Sequence, residues 1–267
     1  MIVITSKTKL YVKHRLRDGS IPFFFIHGFT GKSESWNDVL SEFNSPYIAI
    51  DITGHGKSLF INYKETYTID DWCSEIYLLL QRMNIEKINL CGYSLGGRLG
   101  IAFAAKYPDK INSLILESSS LGIETLEDKE ERYSDDLILI DEIKDNYKKF
   151  IKQWENNSLF QNQKKNNKKG WELQKKIRLN QDNIQLAKSL EVFSQGNMRY
   201  YRNEYIDFNF PISIINGSDD DKYVKIGKKM TYLNTNAKQY IIKDSGHNTH
   251  LEKPQLFLDV LNQSIYL

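Results

Sequence analysis

Ile88-Asn89-Leu90-Cys91-Gly92-Tyr93-Ser94-Leu95-Gly96 runs a short apolar segment into a Gly-x-Ser-x-Gly pentapeptide, and Arg98-Leu99-Gly100-Ile101-Ala102-Phe103-Ala104-Ala105 follows. The apolar segment reads as a buried strand and the stretch after it as a helix. A serine between the two sits on a sharp strand-to-helix turn, with its hydroxyl turned away from the sheet. The glycines are needed because side chains in their place would collide with the approaching helix. The helix N-terminus also favours negative charge beside the serine. Ser94 is therefore a candidate nucleophile or base.

Working outward, Phe23-Phe24-Phe25-Ile26 and Tyr47-Ile48-Ala49-Ile50-Asp51 are further strand-like runs, and residues 2–15 suggest a hairpin. Residues 68–84 place Ile69, Trp72, Ile76, Leu79, Leu80 and Met83 on one side of a helix. Leu114-Ile115-Leu116, Ile212-Ser213-Ile214-Ile215 and Tyr240-Ile241-Ile242 are the remaining strand-like runs. Strands alternating with helices require crossover connections, which predicts an α/β fold with a mostly parallel, doubly wound sheet. Between residues 122 and 205 the alternation stops and charged, helix-period sequence takes over. This stretch is expected to be a helical cap inserted into a core formed by 1–121 and 206–267. Lys164-Lys165-Asn166-Asn167-Lys168-Lys169-Gly170 reads as a solvated polar loop inside it.

With 267 residues, 40% hydrophobic and a formal net charge of +2, the chain can bury a large core and makes no overall case for nucleic acid. No run approaches the roughly 18 apolar residues of a membrane span, and Met1–Lys7 lacks a secretory apolar region. Cys73 and Cys91 are too few for a disulfide framework. A cytoplasmic protein, monomeric or a small homo-oligomer, is expected. No metal or cofactor motif is visible. Thr53-Gly54-His55-Gly56-Lys57-Ser58 lacks the spacing of a phosphate-binding loop.

A serine hydroxyl is a poor base at neutral pH; it needs a histidine, and the histidine needs a carboxylate to fix its tautomer. In a doubly wound sheet these follow later strands in the order serine, acid, histidine. Asn216-Gly217-Ser218-Asp219-Asp220-Asp221 and Ser245-Gly246-His247 stand in that order. Asp220 fits the Gly-x-x-Asp spacing and is preferred, with Asp219 the alternative. His14 and His250 read as surface or packing residues. After the first long strand, His27-Gly28-Phe29 can turn the Phe29 N–H towards Ser94, where with the Leu95 N–H it would form a two-donor oxyanion hole. His27 would hold that loop by hydrogen bonds.

Assembled, His27-Gly28-Phe29, Gly54-His55-Gly56-Lys57-Ser58, Gly92–Gly97, Gly217–Asp220 and Ser245–His247 resemble the α/β-hydrolase superfamily over nearly the whole chain. Gly92–Arg98, Leu114–Ile123, Arg178-Leu179-Asn180-Gln181 and Gly246–Glu252 are similar to a narrower group, the 2-succinyl-6-hydroxy-2,4-cyclohexadiene-1-carboxylate synthases of menaquinone biosynthesis. Glu131-Arg132, Asp135-Asp136, Trp154 and Asp220–Tyr223 extend the match. Departures fall mostly in the insertion: Glu131 replaces one of an arginine pair, and Ser158 stands where the family has proline.

The resemblance implies a lyase that eliminates pyruvate, with Ser94, His247 and Asp220 as the base and the Phe29 and Leu95 N–H groups on an enolate oxygen. It also implies a small anionic substrate held by Arg98, Arg132 and Arg178, since arginine binds carboxylates with two prongs. Tyr93 would close the pocket, Trp154 pack on the ligand and Lys222 add positive charge. A carboxylic-ester or thioester hydrolase using the same triad is the alternative. A ligand-binding relative without activity would have no need of the triad.

Overall fold

Phe23-Phe24-Phe25-Ile26 divides its side chains between two cores, Phe24 and Ile26 on one side, Phe23 and Phe25 on the other. This is the two-residue period of a strand covered on both faces. It is repeated by Ile48 and Ile50 against Tyr47 and Ala49, and by Leu114 and Leu116 against Ile115. The computed structural model describes residues 1–63 and 65–264; Lys64 and residues 265–267, both within the expected core segments, lie outside the described residues.

The strands are β1 (Ile2–Ile4), β2 (Thr8–Arg15), β3 (Phe23–Ile26), β4 (Tyr47–Ile50), β5 (Leu59–Phe60), β6 (Ile88–Tyr93), β7 (Ile111–Glu117), β8 (Ile212–Gly217) and β9 (Ala237–Ile242). They form one sheet in the order β1-β2-β4-β3-β6-β7-β8-β9, with β5 beside β2. From β4 to β9 every pairing is parallel; β2 pairs antiparallel with β1, β4 and β5. The expected hairpin at the start is the β1–β2 pair.

Three helices accompany the first part of the sheet: α1 (Asn37–Leu40), α2 (Ile69–Arg82) and α3 (Leu95–Lys106). Trp72, Leu79 and Leu99 join the core on the Phe24 face. Thr68 starts α2 with a capping box, accepting the Asp71 N–H while the Asp71 carboxylate accepts from the Thr68 N–H. Between β7 and β8 come α4 (Leu126–Asp145), α5 (Tyr147–Glu155), α6 (Gln163–Asn166), α7 (Lys168–Leu179), α8 (Asn183–Phe193) and α9 (Arg202–Ile206). Ile140, Ile143, Phe150, Ile151, Ala187 and Leu190 give these helices a core of their own. The lysine run is not a loop. Lys164 and Lys165 lie on α6, and Lys168 and Lys169 open α7, with Asn167 breaking the helix and capping α7 through the Gly170 N–H.

The chain closes with α10 (Asp221–Leu233), α11 (Thr249–Glu252) and α12 (Pro254–Ser264). Phe257, Leu258 and Leu261 of α12 cover the Phe23 face of the sheet. Among the described residues no helix is long and apolar enough to cross a membrane.

Candidate active site

Ser94 joins β6 to α3 at φ +51°, ψ −109°. A non-glycine residue held in so sparse a region stores of order 1–3 kcal/mol. The turn is fixed from three sides. The Ser94 N–H donates to the Glu117 carbonyl at 2.9 Å, while the Ser94 carbonyl accepts from the Ser119 hydroxyl at 3.0 Å and the Arg98 N–H at 3.1 Å. A Cβ on Gly96 would lie 2.2 Å from the Ile26 carbonyl oxygen, and one on Gly92 would lie 2.4 Å from that of Gly96. The pentapeptide glycines are thus demanded by backbone packed on backbone.

The loops after β8 and β9 bring two further groups to this turn. The Ser94 hydroxyl is 3.3 Å from His247 Nε2, and His247 Nδ1 is 2.6 Å from Asp220 Oδ2. A carboxylate only accepts, so Nδ1 carries the proton and Nε2 is left free to take one from serine. Asp220 is the N-cap of α10, its other oxygen accepting from the Tyr223 N–H at 3.4 Å, so the helix fixes the carboxylate. Asp219 points elsewhere, bonded to Asn162 and Ser218.

After β3, His27 is fully buried. Its Nδ1–H donates to the Gly28 carbonyl at 2.7 Å and its Nε2 accepts from the Ile52 N–H at 2.9 Å. Burial lowers its pKa to about 4, against an opposing pull from Asp51. A neutral ring satisfied by backbone on both nitrogens is a loop brace. Beyond it, the Phe29 N–H and the Leu95 N–H make no hydrogen bond among the described residues, and both residues border the same cavity as Ser94.

That cavity is about 270 Å³ and is lined by residues that follow the C-terminal ends of the strands and by the helices of the β7–β8 connection. Arg98, Arg132 and Arg178 line it. Arg98 is 8% exposed and, among the described residues, forms no ion pair and leaves its buried Nε without a hydrogen bond. Burial pulls its pKa below the usual guanidinium value; Tyr223 and, more weakly, Asp136 oppose that pull and Arg132 adds to it. Arg178 is 2% exposed, lies over the Phe160 ring and faces Glu155 across 3.7 Å, a distance longer than a hydrogen bond. Its Nε and the terminal nitrogen that faces Glu155 make no hydrogen bond among the described residues. Burial lowers its pKa too, opposed by Glu155. Arg132 is already engaged, donating to Asp136 through Nε at 3.0 Å, with a second nitrogen at 2.9 Å.

Tyr93 and Trp154 also border the cavity. The Tyr93 ring lies 5.5 Å from that of His247, and burial raises its hydroxyl pKa well above the usual value. Trp154 packs against Phe29 at 5.5 Å, Phe150 at 5.7 Å and Phe160 at 5.8 Å. Lys222 is a correction. It is the second residue of α10, exposed, with its ammonium 5.9 Å above the Tyr223 ring and outside the cavity lining. The helical turn instead carries its neighbour Tyr223 inward, 4.6 Å from the His247 ring.

Of the two roles expected for His250, surface or packing, the structure shows packing, its ring stacked on Trp36 at 3.9 Å. It is buried, borders the cavity and gives Nδ1–H to Glu117 Oε2 at 2.6 Å. Glu117 and Asp136 stand in blocks of the family resemblance that assign them no role, and the sequence does not single out Gln174 or Gln195. Tyr223 carries a signal, since an N-cap at Asp220 turns the third helical residue back towards it.

The sequence profile of the α/β hydrolase fold matches residues 21–254. A Bacillus subtilis (strain 168) protein provisionally named 2-succinyl-6-hydroxy-2,4-cyclohexadiene-1-carboxylate synthase is 31% identical over 244 residues, covering 89% of this chain and 88% of its own. The synthase of that name from Enterobacter sp. (strain 638) is 25% identical, covering 91% of each. Among solved structures, MenH from S. aureus superposes with a TM-score of 0.89 at 28% identity over 98% of both chains.

Proposed function

The chain belongs to the α/β-hydrolase family and within it resembles the 2-succinyl-6-hydroxy-2,4-cyclohexadiene-1-carboxylate synthases; from that premise we propose that it is a lyase of menaquinone biosynthesis. Its substrate would be 2-succinyl-5-enolpyruvyl-6-hydroxy-3-cyclohexene-1-carboxylate. The observation that carries this reading is Arg98, a buried cation that makes no direct ion pair among the described residues, one helical turn beyond Ser94 on the wall of the same cavity. A buried charge without a direct partner costs several kcal/mol. A carboxylate-bearing ligand removes that cost, and a neutral ester does not.

In the proposed reaction Ser94, with its proton passed to His247, takes the ring proton at C2. The C2–H electrons form a C2–C3 double bond, the ring double bond moves to C4–C5, and the C5–O bond breaks. The leaving group departs as pyruvate enolate and is protonated to pyruvate. Charge that develops on the succinyl ketone oxygen would meet the free Phe29 and Leu95 N–H groups, the arrangement that stabilises enolates and oxyanions alike. Asp220 would stabilise the imidazolium. The three arginines would take the substrate carboxylates, with residues 122–205 acting as a cap over them.

The test is pyruvate release from freshly generated substrate, measured against a no-enzyme blank and the Ser94→Ala variant. Ser94-dependent release with kcat lowered by about 10³-fold or more in the variant is expected. Turnover of aryl esters with no pyruvate above blank would overturn the lyase and leave the hydrolase.

A further inference from the structure

The helices between β7 and β8 are electrically split. Residues 124–142, essentially α4, carry nine acidic side chains against Lys129 and Arg132. Residues 143–181, which include α5, α6 and α7, carry ten lysines and Arg178 against Asp145, Glu155 and Glu172. The two blocks face each other across the cavity. Arg132, Asp135 and Leu139 come from the acidic helix, and Trp154, Leu159 and Arg178 from the basic segment. Asp135 and Asn157, one from each block, are the lining residues that are exposed, so the cavity wall reaches solvent in both blocks.

Nine of the ten lysines are exposed and Lys175 is half-buried; Lys175, at 3.9 Å from Glu155, is the one that forms an ion pair among the described residues. Their helices are also tied down on the site. Asn166 donates to Glu252 at 2.7 Å and to the Asp244 carbonyl at 3.0 Å, and Asn167 donates to the Leu251 carbonyl at 2.8 Å. The lysines therefore stand in fixed register with the His247 loop.

We infer that the basic outer face of α5–α7 is an electrostatic capture surface that draws a polyanionic substrate to the basic side of the opening. The inference rests on the proposed reaction, whose substrate carries three carboxylates. Fields of this kind raise encounter rates 10–10³-fold at low salt and fade as the screening length shortens. The acidic helix opposite makes the field directional, repelling the substrate from one rim and leaving the other as the route to Arg178 and Arg98. The chain's small net charge hides this, because the two blocks nearly cancel.

The experiment compares two quadruple variants of equal net charge in the pyruvate assay. One changes Lys148, Lys149, Lys168 and Lys169 to Glu on the basic face. The other changes Lys87, Lys228, Lys229 and Lys238 to Glu, all exposed and outside this segment. At about 20 mM salt the first is expected to lose about tenfold in kcat/KM with kcat unchanged, and the second less than twofold. Wild-type kcat/KM is expected to fall steeply with salt, and that of the first variant much less. Pyruvate release with equal kcat/KM in both variants, or a wild-type salt profile as flat as the first variant's, overturns the capture surface alone. No pyruvate from wild type at any salt overturns the lyase reading and this inference with it.

Discussion

His247 and His250 stand three residues apart after the last strand, and each gives an Nδ1–H to a carboxylate across 2.6 Å. They differ in what meets the second nitrogen. His247 Nε2 faces the Ser94 hydroxyl at 3.3 Å in a cavity wall. His250 Nε2 is buried with no partner, and its ring is stacked on Trp36 at 3.9 Å. Glu117, for its part, also accepts the Thr249 hydroxyl and the His250 N–H. One pair is built to pass a proton on, the other to pin the turn that carries the first. A carboxylate–imidazole pair is thus not evidence of catalysis until the group at Nε2 is identified.

That contrast breaks if the two imidazoles respond alike to the same change. His247→Gln is expected to lower kcat for pyruvate release about 10³-fold or more with the folded state largely intact. His250→Gln is expected to keep kcat within about threefold while stability in urea falls by about 1–3 kcal/mol, because Glu117 is left buried and short of a donor. A collapse of kcat in His250→Gln at unchanged urea midpoint would move His250 into the chemistry.

Arg98 sharpens the contrast from the substrate side, since it is a buried cavity cation that makes no ion pair among the described residues, whereas the two imidazoles are each bonded to a carboxylate. Arg98→Ala is expected to lower kcat/KM roughly 10–150-fold, the value of one or more charge-assisted bonds. Most of the loss should appear in KM. An unchanged kcat/KM would remove Arg98 from substrate binding.

The sheet-edge half of the site was legible because its rules are local. Gly92, Gly96 and Ser94 are forced by one turn, and Asp220 and His247 by the positions that follow the strands at 212–215 and 240–242. The wall formed by α4–α8 was not legible in the same way. Arg132 and Arg178 were reached through family resemblance; the four-residue spacing of Arg132 and Asp136 allows their pairing on one helix, but no spacing shows that Arg178 is left incompletely paired. That depends on tertiary distances between helices, as does the bond from the Ser194 hydroxyl to Asp136. Glu117 was missed for the same reason: standing just after the apolar run Leu114-Ile115-Leu116, it shows its partners at 249–250 only once the sheet closes. The lysine run misled because composition alone cannot distinguish a polar loop from two short helices broken at a capping asparagine.

His27 and His55 extend the comparison to imidazoles braced by backbone or hydroxyl groups without a carboxylate bond. His55 accepts from the Thr30 N–H at 3.2 Å and meets the Ser189 hydroxyl at 3.3 Å. Burial lowers the pKa of His27 to about 4 and that of His55 well below 6.5. A folded-state pKa below the unfolded value means the unfolded chain takes up the proton first as pH falls. Stability is therefore full above about pH 6.5 and declines towards pH 4, by up to about 1.4 kcal/mol per pH unit for each ring. Urea midpoints across that range should show the decline, and His55→Gln should make it shallower. A slope unaltered by the substitution would mean that His55 does not bind its extra proton on unfolding.

The smallest effect is expected at Lys222, and it tests whether position in sequence or position in the fold decides membership of the site. Lys222 lies two residues from Asp220, and its neighbour Tyr223 packs against His247, yet its own ammonium stands in solvent over the outer face of that tyrosine. At such a site the charge is screened within about 10 Å at ordinary salt. Lys222→Ala should change kcat and KM less than twofold, whereas Tyr223→Ala should lower kcat/KM by removing the ring that walls His247 and opposes Arg98. Equal losses in the two variants would show that Lys222 reaches the substrate and that α10 turns inward when the cavity is filled.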